Sequence, residues 1–168
     1  GEPDTCTYAA PCSDGGAWGL HCGGIGSMRD AFSRGSVDGA RQVVAVGDGA
    51  AVFDPATGSW RVQIGLDLSG LRALHIGDEG RSEGWAVGGR TGLARLDANN
   101  CWVTDDSLIN GSVSLTSVIY ENANRRGWAV GSRGLSGVLL RLRMADDTPT
   151  WSDATGLVSG GLPPLSDF

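Results

Sequence analysis

The chain contains no lysine: all 13 of its basic residues are arginine. A GC-rich coding sequence produces that bias unaided. Where chemistry selects it, the planar guanidinium fork serves interfaces and carboxylate pairing better than a flexible ammonium does. Acidic residues outnumber basic ones and the formal net charge is −6, which argues against a nucleic-acid binder, since phosphate contacts need a basic face. Long apolar runs are also missing. The longest candidate, Gly137-Val138-Leu139-Leu140, is stopped by Arg141 and Arg143, far short of the roughly 18 residues of a membrane-spanning helix. No secretory leader is visible, and Gly1 is read as compatible with a processed N-terminus.

The residues that carry most chemistry are scarce. The two histidines, His21 and His75, lie 54 positions apart. A Cys–His nucleophile pair needs both partners poised in one cleft. Cys22 beside His21 is read as a disulfide residue instead, and His75 as a packed or rim residue. There is no dinucleotide fingerprint, no phosphate-binding loop, no HExxH and no GxSxG. Asp105, Asp106, Asp146 and Asp147 form no dense carboxylate loop of the kind calcium requires. No cofactor and no metal are expected. Arg125-Arg126 reads as a solvated turn pair, with a rim contact to an acidic partner as the alternative.

Cysteine is concentrated. Cys6, Cys12 and Cys22 fall in the first 22 residues, and Cys101 stands alone. The spacings match neither a zinc ribbon nor a CxxC pair, and four cysteines allow three pairings among which the sequence does not choose. Disulfides stapling the N-terminal segment imply an oxidising place: extracellular, periplasmic or cell-surface. Asn110-Gly111-Ser112 is a glycosylation sequon, relevant only in a glycosylating secretory pathway.

Glycine, by contrast, is abundant: 28 residues, spread between short apolar runs. This is the pattern of many tight turns in an all-β chain. The turns recur. Gly84-Trp85-Ala86-Val87-Gly88 is repeated as Gly127-Trp128-Ala129-Val130-Gly131, and Val43-Val44-Ala45-Val46-Gly47 is a worn copy. The alanines at 45, 86 and 129 are 41 and 43 residues apart. Tryptophans of a second kind, Trp18, Trp60, Trp102 and Trp151, are spaced by 42, 42 and 49. A third marker follows each: Ser27-Met28-Arg29-Asp30-Ala31, Gly70-Leu71-Arg72-Ala73-Leu74, Ser114-Leu115-Thr116-Ser117-Val118 and Gly161-Leu162-Pro163-Pro164-Leu165. Three markers in one order define a repeat.

Each unit reads as four short strands, with the Trp-Ala-Val-Gly run second and the other tryptophan opening the fourth. Four strands in roughly 42 residues is the length of a β-propeller blade. A four-stranded sheet has two faces to bury, and stacking similar sheets buries both. The expected fold is therefore an all-β β-propeller of four-stranded antiparallel blades, about three full blades plus partial blades at both ends. The boundaries read as 1–26 for a Cys/Gly-rich segment ending in the outer strand of a partial blade. Blades follow at 27–69, 70–113 and 114–160, and 161–168 is the first strand of another. Gly47, Gly88 and Gly131 are expected where the inner strand crowds other backbone. Trp60, Trp85, Trp102, Trp128 and Trp151 are expected to be substantially buried.

The turns before the second kind of tryptophan begin at Asp14, Asp54 and Asp97, with Asp146-Asp147 in the last copy. Together with the Gly-Trp-Ala-Val-Gly runs they resemble the BNR, or Asp-box, propellers of the photosystem II stability/assembly-factor-like family, over about residues 13 to 165. The copies here are degenerate. The resemblance implies a structural role for the Asp-box, its carboxylate bonding N–H groups of the turn. Sialidases share the Asp-box, but they need an arginine cluster, a tyrosine nucleophile and acidic partners. Tyr8 and Tyr120 are the only tyrosines, and Tyr120 reads as a strand end.

Three ways of closing a ring remain: a longer propeller, a ring shared between chains, or a compact four-bladed ring closed by both ends of this chain. Loose strand edges seek partners in each. The functional expectation is a non-enzymatic propeller module binding a protein or glycan, or its own copies. A repeating subunit of an extracellular filament is the structural alternative, and a sialidase-like glycosidase the enzymatic one.

Overall fold

The computed structural model describes residues 27–35, 41–54, 59–63, 68–77, 83–89, 92–97, 101–105, 113–121, 123–145 and 148–158. They form three four-stranded antiparallel sheets and one short 3-10 turn, Thr155–Leu157. The first sheet holds β1 (Met28–Gly35), β2 (Arg41–Gly47), β3 (Ala50–Asp54) and β4 (Ser59–Val62). The second holds β5 (Leu71–Ile76), β6 (Gly84–Gly88), β7 (Gly92–Leu96) and β8 (Trp102–Thr104). The third holds β9 (Val113–Glu121), β10 (Arg126–Arg133), β11 (Ser136–Ala145) and β12 (Thr148–Asp153). Strand order within every sheet follows chain order. The all-β repeat is therefore real, one sheet per repeat.

The repeated pentapeptide is the second strand of its sheet, flanked by hydrogen-bonded neighbours on both edges. In each later sheet the strand that lies against the sheet before it is the first: β5 lies against β1 and β2, and β9 against β5, β6 and β7. The reason lies in the pairing. An interior strand has both edges satisfied by its own sheet, whereas a first strand keeps one edge open for side chains of its neighbour.

Each first strand also carries one extra residue opposite the pentapeptide's last positions. Pairing shifts between Met28 and Asp30, between Leu71 and Ala73, and between Leu115 and Ser117. Arg29, Arg72 and Thr116 are thus the same bulge three times, a device that bends and twists a strand locally. The bulge explains the recurring glycine. A Cβ on Gly47 or Gly131 would collide with the carbonyl oxygen of Ser27 or Ser114, and Gly88 holds a φ of +114°. Only glycine tolerates both the crowding and that backbone angle.

Two apolar clusters fill the spaces between sheets. One joins Val44, Val46, Ala50 and Val52 of the first sheet to Leu71, Leu74, Ile76, Ala86, Ala94, Leu96 and Trp102 of the second. The other joins Trp85, Val87 and Leu93 of the second to Leu115, Val118, Tyr120, Ala129, Leu140, Leu142 and Trp151 of the third. The second sheet is a filling between two layers, so β6 is buried at every position while β10 alternates.

Candidate interaction surface

Each seam between sheets is made the same way. The fourth strand of the later sheet brings a tryptophan onto the earlier one. Trp102 enters the first seam and Trp151 the second, where its ring meets Trp85 edge-on with centroids 5.2 Å apart. T-shaped aromatic pairs add about 0.5–1.5 kcal/mol beyond their buried area. Trp151 sits in the middle of β12 rather than at its start because β11 is ten residues long, which is why the last tryptophan spacing is 49 rather than 42.

Polar side chains then lock the seams. Asp30 on β1 accepts the Leu74 N–H on β5 at 2.8 Å. His75 on β5 accepts the Tyr120 N–H on β9 through Nδ1 at 3.1 Å. Both satisfy edge donors that strand pairing leaves over. Gln63, buried, bridges the first two sheets where Trp102 begins β8. Its amide nitrogen donates to the Trp102 carbonyl, and its amide oxygen accepts the Trp102 N–H, both at 2.7 Å. Nothing in the repeat pattern marks Gln63, Asp30 or His75 for these roles, because none of them recurs.

At one end of the second seam lies a group of ionisable side chains. The Tyr120 hydroxyl donates to Glu83 Oε2 at 2.8 Å, and Arg125 donates to Glu83 Oε1 at 3.2 Å. Burial, then the neighbouring Glu83 carboxylate, push the Tyr120 hydroxyl up to about 12, with Arg125 acting in the opposite direction. The phenol stays protonated and serves as a donor, the reverse of what a nucleophile needs. Arg125 has a φ of 49° in the turn between β9 and β10, a left-handed position in which a non-glycine residue is uncommon. His75 also meets Phe32 of the first sheet, ring centroids 5.2 Å apart. This cluster ties three sheets together.

The third sheet has a face that no described sheet covers. One cross-strand row on it runs Ile119, Trp128, Arg141, Ser152. Ile119 is 57% exposed and Trp128 37% exposed. The Arg141 guanidinium lies 6.0 Å from the Trp128 ring centroid, the geometry of a cation–π pair. The neighbouring row runs Glu121, Arg126, Arg143, Thr150, with Glu121, Arg126 and Arg143 exposed. The face is therefore an apolar centre with three arginines and one glutamate, on a chain whose net charge is negative. An exposed aromatic with arginine beside it is the composition that protein interfaces favour.

The residues expected from sequence fall as follows. Trp85, Trp102 and Trp151 are buried, and Trp60 is half-buried against Phe53. Trp128 corrects the expectation of burial, because no described sheet lies over it. Gly47, Gly88 and Gly131 sit at the bulges. Asp97 accepts the Cys101 N–H through Oδ1 at 2.8 Å, the turn-holding role expected of an Asp-box carboxylate. Asp54 ends β3. Cys101 is buried and is not a free thiol. Asp14, Trp18, Cys6, Cys12, Cys22, Asn110, Asp106, Asp146, Asp147, Tyr8 and His21 lie outside the described residues, as does the segment 161–168. Among the described residues no group of three or more His, Cys, Asp or Glu is placed to hold a metal, and no helix is long and apolar enough to cross a membrane. Comparison with protein-family models, with curated proteins and with solved structures returned no match.

Proposed function

We propose that this chain is a non-enzymatic β-propeller module that binds a protein partner, its own copies first among them, at the open end of its stack of sheets. One observation carries the reading. Trp85 and Trp128 hold the same place in the same repeat, yet Trp85 is 1% exposed and Trp128 37%. The second sheet's face is covered by the next sheet, and among the described residues no sheet covers the equivalent face of the third. An open face with an apolar centre and an edge strand beside it is a surface that binding would stabilise.

The propeller geometry is part of the same proposal. The first strand of each later sheet lies against the sheet before, and a tryptophan of its fourth strand packs into the seam, an arrangement that suits blades stacked around a common centre. Cys101, buried and not free, supports an oxidising location. The BNR-like turn at Asp97 supports the resemblance at one position.

Sedimentation velocity across a wide concentration range tests the partner. Reversible self-association is expected, weakened by Arg141→Glu combined with Arg143→Glu on the open face. A chain that sediments as a monomer at every concentration, with the double variant indistinguishable from it, removes self-association as the function.

A further inference from the structure

We infer that the open face of the third sheet takes an extended, acidic segment of a protein partner, one whose carboxylates stand two residues from an apolar side chain. This rests on the proposed reading of the face as a protein-binding surface and names the chemistry of what binds there.

The charge on the face runs against that of the chain. The net charge is −6, yet this face gathers Arg126, Arg141 and Arg143 beside Glu121. Other arginines find carboxylates within the chain: Arg29 with Asp48, Arg125 with Glu83 and Arg133 with Asp153. Among the described residues, none of the three on this face has an ion pair. Glu121 is engaged by Asn124 instead, whose Nδ2 donates to its Oε1 at 2.7 Å.

The arginines are also placed against one another. Arg126 and Arg143 are direct cross-strand partners. Like charges in that position repel and weaken a sheet, and a carboxylate set between them turns the repulsion into attraction on both sides. Arg141 stands two positions along β11, across from Trp128. Its Nε is buried without a hydrogen-bond partner, and its guanidinium lies 6.0 Å from the Trp128 ring centroid. Packing thus holds the fork, and its terminal nitrogens remain to donate to a carboxylate in a preset geometry.

The spacing suits a peptide. The row of Ile119 and Trp128 lies two residues along each strand from the row of Glu121, Arg126 and Arg143, a step of about 6.6 Å. An extended peptide presents every second side chain to one side at the same spacing. Laid along β10 and β11, it sets an apolar side chain on Ile119 and Trp128 while a carboxylate two residues away reaches Arg126 and Arg143. A glycan would want Trp128 as a bare platform for a sugar ring, and Arg141 already lies over that ring.

Isothermal titration calorimetry on the full chain tests the site. The probe is a short peptide in which aspartate, leucine and aspartate alternate with serine; the control has asparagine in place of aspartate. The aspartate peptide is expected to bind, about tenfold or more tightly than the control, and less tightly as salt rises. Arg126→Gln combined with Arg143→Gln, and separately Trp128→Ala, are each expected to weaken it about tenfold, while Arg29→Gln in the first sheet leaves it unchanged. The paired glutamine variant is also expected to unfold at a higher temperature than the unaltered chain, because the cross-strand repulsion is gone. No binding, or equal binding of both peptides, overturns the inference, as does a lower unfolding midpoint for that variant. A heparin oligosaccharide that binds where the peptide does not overturns it in favour of an anionic glycan. If the peptide binds while sedimentation shows only a monomer, self-association falls and the acidic partner stands. If the chain self-associates and the peptide does not bind, the acidic partner alone falls.

Discussion

The chain writes Gly-Trp-Ala-Val-Gly twice, and the two copies live in different surroundings. Both are second strands, both pair with a bulged first strand, and both place an arginine across from the tryptophan, Arg95 in one sheet and Arg141 in the other. Nothing in five residues distinguishes them. Yet Trp85 is clamped between Leu115, Val118 and the edge of Trp151, while Trp128 looks outward under one guanidinium. Local pattern decides that a strand forms and which way its side chains point. Whether the outward side chains end in a core is decided by the next sheet, some forty residues away.

The sharpest way to break that comparison is to cut both tryptophans back. Trp85→Ala is expected to cost about 3–5 kcal/mol, the range for removing a buried tryptophan. Trp128→Ala is expected to cost about 1 kcal/mol, since part of its surface already meets water. Urea unfolding of both variants measures the difference, and equal losses would show that the open face is not open in solution. Next in size is Gln63→Ala. It leaves the Trp102 N–H and carbonyl without their side-chain partner in a buried seam, at a cost of about 2 kcal/mol. A comparable loss is expected for Gly131→Ala, where the added methyl meets the Ser114 carbonyl, about 1–3 kcal/mol by overpacking. Gly49→Ala is the control. No atom lies within 4 Å of the point where its new methyl group would sit, and its unfolding free energy is expected to stay within about 0.5 kcal/mol.

How much of this was legible beforehand divides along the same line. The repeat announced three sheets, their strand count and their order, because strand-forming runs and glycine turns are local signals. The glycines at 47, 88 and 131 were legible as places of backbone crowding. The contacts between sheets were not: the repeat marks the pentapeptide as a second strand, but nothing in it says that the first strand of each later sheet, β5 or β9, lies against the sheet before. The exposure of Trp128 was illegible for the reason already given. The seam ties were illegible in another way. Asp30, His75 and Gln63 each act once, on a backbone group about forty positions along, so neither composition nor periodicity marks them. Asp97 was readable because its partner, Cys101, is four residues away within one turn.

A further small effect probes the polar end of the second seam, where Ile119 of the third sheet stands at the place of His75 in the sheet before. Tyr120→Phe removes one hydrogen bond to Glu83 and is expected to cost about 1 kcal/mol at neutral pH. Its signature lies at high pH. The Tyr120 hydroxyl rises from the ordinary 10.0 to about 12 in the folded chain, so the folded state holds that proton more tightly than the unfolded state does. The stability it contributes is complete below pH 10 and is lost as pH climbs from there through about 12. Thermal midpoints of the unaltered chain should therefore fall more steeply than those of Tyr120→Phe over that window, the two curves converging as the phenol ionises. Parallel curves across the window would mean that the phenol is not held by Glu83, and that the two sheets are joined at that end by the Arg125–Glu83 pair, His75 and apolar contact.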